Sequence, residues 1–97
     1  MTDTSRNDFY DRVDALIQLA NQQCNTEDKG KVSASFLFAA SRFNTWVSAS
    51  GFDSAELMQA NREQLIEHFV SQYKAMLEDN LDEFIENFES YLSKKIK

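Results

Sequence analysis

The chain has 97 residues, 42% of them hydrophobic, with eight Phe, three Tyr and one Trp. A chain of that length forms one domain that can bury roughly 60–65% of its unfolded surface, and this apolar content excludes global disorder. Sixteen acidic residues against ten basic ones give a net charge of −6. That is the wrong sign for neutralising phosphates, so nucleic acid and anionic membrane surfaces are discounted as partners.

Pro is absent and the only glycines are Gly30 and Gly51. Both residue types disfavour helix interiors, so their scarcity favours helix along most of the chain. Cys24 is the single cysteine, which rules out an intramolecular disulfide and points to a reducing compartment. The start, MTDTSRNDF, lacks the apolar stretch of a signal peptide, and no run of about 18 apolar residues follows. The expected location is the cytoplasm, with no membrane span.

A first helix is expected over about residues 6–24. Ser5 with Asp8 resembles a capping signal, and Phe9, Val13, Leu16, Ile17, Ala20 and Cys24 fall at three- and four-residue steps on one stripe. The polar run from Asn25 to Gly30 predicts a loop.

A second helix is expected over about 33–50, with Ser33 as N-cap and Gly51 in the left-handed conformation that ends many helices. Its main stripe is Val32, Phe36, Ala39, Ala40, Phe43, Trp46 and Val47, assigned to the core. Val32 and Leu37 fit a hydrophobic staple at the helix start. Phe38 has no such local explanation. It points roughly opposite Phe36 and Phe43, toward Ala34, Ser41, Thr45 and Ala49, whose small side chains leave room for another helix. That helix is either the chain's own fourth one, the default in a small domain, or one supplied by a partner.

A third helix is expected over about 54–79, starting at GFDSAEL. Asp53 and Glu56 match a capping box, and Phe52 and Leu57 occupy the staple positions. Asn61 with Gln64 offers a second start, which would make 54–60 a separate short turn. Leu65, Ile66, Phe69, Val70, Tyr73, Met76 and Leu77 form its stripe. A fourth helix is expected over about 80–93, carrying Leu81, Phe84, Ile85, Phe88, Tyr91 and Leu92. The mean stripe direction turns by roughly 70° between these two groups at 100° per residue, and Asn80 with Glu83 matches an N-cap pairing. A break near Asp79–Asn80 is therefore expected, a kinked continuation being the alternative. Stripes of this kind bury one another as an all-α, single-domain antiparallel bundle of three or four helices, with residues 1–5 and 94–97 frayed.

No constellation in the sequence specifies chemistry. Glu78, Asp79, Asp82, Glu83, Glu86 and Glu89 lie opposite the Leu81/Phe84/Phe88 stripe, as a solvated face requires, and no Glu stands three residues before His68. No metal or other cofactor is expected. His68 falls on the polar side of its helix without an oriented partner. Cys24 lies on an apolar stripe near a helix C-terminus, where a thiol is an inert small hydrophobe. Arg42, the only charge between Lys31 and Asp53, fits a side chain whose stem covers apolar surface while its head pairs with an acid of another helix. The Asp53-Ser54 pair resembles the Asp-Ser-Leu stretch of acyl carrier proteins, although Ala55 stands where that family has Leu.

The stretches FYDRVDALIQLAN, VSASFLFAASRFN and FVSQYKAMLEDNLDEFIENF resemble a family of small bacterial proteins known only as a domain of unknown function. The resemblance runs from about Phe9 to Tyr91. It implies a single-domain bacterial helical protein and brings no activity, cofactor or site residue. The function expected is that of a non-enzymatic interaction protein, self-association included, acting through a helical face with Phe38, Arg42 and Thr45 as candidate contacts. The alternative is a small-ligand or acyl-carrier-like bundle that uses Ser54.

Overall fold

The computed structural model describes the backbone of residues 4–92 and the side-chain burial of residues 8–92. The chain is all-α: α1 (Thr4–Gln23), α2 (Lys29–Ala49), α3 (Ala55–Ala60), α4 (Arg62–Glu86) and α5 (Phe88–Leu92), with no strand among the described residues. Thr4 and Ser5 belong to α1, so Ser5 is not its cap and that end is not frayed as far as residue 5. Residues 1–3 and 94–97, also expected to fray, lie outside the described residues. The residues fall into two compact units, one up to Trp46 and the other from Val47 onward.

In the first unit, the least exposed side chains are Val13, Ala20, Asn21 and Cys24 of the α1 region with Val32 and Phe36 of α2. Val32, 6% exposed, is the one buried hydrophobe among the described residues. Phe9, Leu16 and Ile17, expected on the buried stripe, are exposed. α2 begins four residues before the expected start. The Asp28 side chain accepts a hydrogen bond from the Gly30 N–H at 3.0 Å, and Val32 N–H bonds the Asp28 carbonyl at 3.1 Å. Asp28 is as good a cap as Ser33, and a glycine in the first turn does not carry the interior penalty. The Val32–Leu37 staple therefore does not form: Val32 lies within α2, and Leu37 is exposed on its surface.

In the second unit, α2 ends without the left-handed glycine expected at Gly51, since no described glycine has positive φ. The turn instead tightens to three-residue spacing, with Gly51 N–H on Ser48 O and Phe52 N–H on Ala49 O, each at 3.1 Å. The Ser50 hydroxyl caps Val47 O at 2.6 Å, so the last carbonyls find partners by another route. The N-cap of α3 is Ser54, whose side chain accepts from Leu57 N–H at 3.2 Å, and not Asp53. Ser54 has the extended backbone that an N-cap needs (φ −155°, ψ 161°). Asn61 ends α3 and opens α4. Its amide donates to Leu57 O at 2.9 Å and its carbonyl accepts from Leu65 N–H at 3.0 Å. Residues 55–60 are thus the separate short helix that the second start signal implied.

α4 runs unbroken through Asp79–Asn80, against the expected break. The reason is legible in the spacing. Ile66, Val70 and Tyr73 repeat eleven residues later as Leu77, Leu81 and Phe84, and Leu77 again as Phe88. An eleven-residue repeat drifts only about 20° in three turns of a straight helix, so this seam stays on one face. The roughly 70° turn inferred earlier comes from averaging in the flanking positions Leu65, Phe69, Met76 and Ile85. The helix stops at Asn87, whose backbone and side-chain N–H groups both bond Glu83 O at 3.0 Å.

The half-buried cluster of the second unit, Ala49, Phe52, Met58, Leu65 and Phe69, gathers around α3 and the start of α4. From Val70 through Ser90 every residue is exposed. Phe43, Trp46 and Val47 of α2 and Ile66, Val70, Tyr73, Met76 and Leu77 of α4, all expected in the core, are exposed too. The stripes exist as the periodicity requires, and most of their large side chains are exposed.

Candidate interaction surface

α2 carries a shallow, open depression lined by Phe38, Ala39, Arg42, Phe43 and Trp46. The steps Phe38–Arg42–Trp46 and Ala39–Phe43 are each four residues, so helical geometry alone sets these side chains in two adjacent rows. Phe38, Phe43 and Trp46 are 66%, 62% and 65% exposed. The rings of Phe43 and Trp46 lie 5.8 Å apart at a 35° tilt. Sequence reasoning set Phe38 and Phe43 on opposite sides. About 140° separates them, and Ala39, Arg42 and Trp46 fill the interval.

Of the three candidate contacts, the structure brings Phe38 and Arg42 together and leaves Thr45 outside the lining. The Thr45 hydroxyl donates to Ser41 O at 2.8 Å within its own helix. Ala39, Phe43 and Trp46 join the surface. Their four-residue steps were visible in the sequence, but Phe43 and Trp46 had been spent on a core. Arg42 makes no ion pair with a described residue, contrary to the interhelical pairing expected of it. The one ion pair among the described residues is Arg62–Glu63, 2.7 Å long and exposed.

The other singled-out residues are placed as follows. His68 is exposed and its ring meets Phe69 edge-on at 5.0 Å. Cys24 is a free, half-buried thiol. Glu78, Asp79, Asp82, Glu83, Glu86 and Glu89 are all exposed, and no group of three His, Cys, Asp or Glu among the described residues is arranged to hold a metal ion. The Ser54 oxygen is engaged in capping α3. Tyr91 donates to Glu83 Oε2 at 2.5 Å and stacks on Phe84 with centroids 4.4 Å apart. That hydrogen bond to a carboxylate raises the phenol above its ordinary value, with desolvation and the Glu83 charge adding to the same direction. No helix among the described residues is long and apolar enough to cross a membrane.

These features define a class: an all-α protein that displays aromatic helix faces and no assembled reactive centre among its described residues. The chain belongs to the DUF3144 family, proteins of unknown function, whose model matches residues 9–85. It is similar to a solved structure, the NMR structure of the protein NB7890A from Shewanella sp.. The two are 39% identical with a TM-score of 0.73, and the match covers 91% of this chain and 94% of that one. No curated protein matches.

Proposed function

We propose that this chain is a non-enzymatic, cytoplasmic protein–protein interaction module that binds through the α2 face. The observation that carries the reading is three aromatic rings, each about two-thirds exposed, grouped around a guanidinium that makes no ion pair with a described residue. Contiguous exposed apolar surface of this kind marks interaction sites on soluble proteins. Trp, aromatic residues and Arg are also the types that dominate binding energy at protein interfaces. The face is open, so a small molecule lying in it would keep much of its surface in water, whereas a helix could cover it. The fitting partner is an amphipathic segment with an apolar stripe and a carboxylate set to meet Arg42, because an arginine desolvated without a partner is costly.

The test uses the full chain as bait against native-host extract, with Phe38→Glu as the matched control and circular dichroism to verify that the control keeps its helix content. A protein retained by the wild type and lost by the folded variant supports the α2 face, and its affinity for purified Trp46→Ala should fall by about 30-fold or more, the scale of an interface hot spot. An identical set of proteins on both baits contradicts it.

A further inference from the structure

We infer that α4 pairs antiparallel with α4 of a second copy of this chain, through the seam Val70, Tyr73, Leu77, Leu81 and Phe84. The inference goes beyond the α2 reading and does not rest on it, because it concerns a different helix and a different partner.

The seam extends about 21 Å along the helix axis, and its five side chains are between 40% and 60% exposed. From Val70 onward α4 has no covered residue. Most helical stability in proteins comes from packing an amphipathic face, so a surface must complete this one. Self-complementary spacing and charge argue for a second copy.

Spacing and charge set the orientation. Seam residues succeed one another at steps of 3, 4, 4 and 3, a sequence that reads the same in both directions about Leu77. An antiparallel copy in that register sets Val70 against Phe84, Tyr73 against Leu81, and Leu77 against itself, as a two-fold interface requires. Glu78, Asp79, Asp82, Glu83, Glu86 and Glu89 crowd the C-terminal end, and no basic residue lies among them. Parallel pairing would set these two acidic clusters side by side. Antiparallel pairing separates the two clusters, and it also sets the helix dipoles against each other. Lys74 and Glu78 lie on the same flank of the seam, so Lys74 of each copy falls beside Glu78 of the other.

The test is sedimentation of the full chain joined to cysteine cross-linking in a Cys24→Ser background. The wild type should sediment at twice the 11.2 kDa chain mass, and Leu77→Glu should sediment as a helical monomer. Lys74→Glu should weaken the dimer at least tenfold, and adding Glu78→Lys should restore most of that loss. Leu77→Cys should cross-link to itself. Val70→Cys should cross-link to Phe84→Cys in mixed samples and not to itself. A monomeric wild type at all concentrations overturns the inference, as does a Val70→Cys self-cross-link, which signals parallel pairing. A Leu77→Glu variant that fails to fold leaves the cross-linking pattern to decide. Capture of an α2 partner by folded, monomeric Leu77→Glu would show the two surfaces to be separate, so either reading can fail alone.

Discussion

Ser54 and Tyr91 show how single side chains end the helices of the second unit. The Ser54 oxygen accepts the Leu57 N–H, satisfying one of the donors that every helix start leaves free. Ser54→Ala should therefore cost about 1 kcal/mol in denaturant unfolding, and Asp53→Ala should cost little. The reverse order would restore Asp53 as the cap. Tyr91 holds α5 to the last turn of α4 through Glu83. Its phenol titrates above the ordinary value, so the contribution of this bond is complete below about pH 10. It is lost as pH rises through the raised folded value. Phenolate absorbance in a Tyr10→Phe, Tyr73→Phe background should show a late titration that Glu83→Gln moves back toward the ordinary value. No movement would mean that Glu83 is not the cause. The capping serine was one residue from the expected position because Asp and Ser are near-equal caps, and sequence alone does not choose between neighbours. The Tyr91–Glu83 bond spans eight residues across a helix end and had no local signature.

Helix existence was legible in the sequence, and most helix ends were not. Periodicity placed the amphipathic stretches of α1, α2 and α4, although it divided α4 in two, and the start signal at Asn61 foretold the separate α3. The break forecast at Asn80 failed because an eleven-residue seam was averaged together with its flanks. Asn80 in a helix interior has a testable sign. Asn80→Ala should stabilise by about 0.5 kcal/mol through helix propensity, whereas removing an N-cap would destabilise by about 1 kcal/mol. Gly51 carries a similar test. Its φ is not positive, and an added Cβ would meet only Ser48 O at 3.5 Å. Gly51→Ala should be neutral or stabilising by about 0.4–1 kcal/mol in thermal unfolding. A left-handed glycine would make the same change destabilising.

At the scale of the whole molecule, the sequence specifies more apolar stripe than the chain buries. Phe38, Arg42 and Trp46 were separable into core and surface only on the assumption that every stripe closes within the chain. That assumption, natural for a domain of this size, is why Phe43, Trp46, Val70 and Leu77 were assigned to a core. Exposed on α2, such residues make the face proposed to take another protein, and on α4 the seam proposed to take a second copy. The family resemblance was legible because its residues span nearly the whole chain. It carries no activity, so function has to be read from these faces. The most direct measurement is amide hydrogen exchange across residues 70–86 as the full chain is diluted. If the cover of α4 comes from a second copy, protection falls with concentration and is absent in Leu77→Glu. Protection that is the same at every dilution, in wild type and variant alike, would contradict the account.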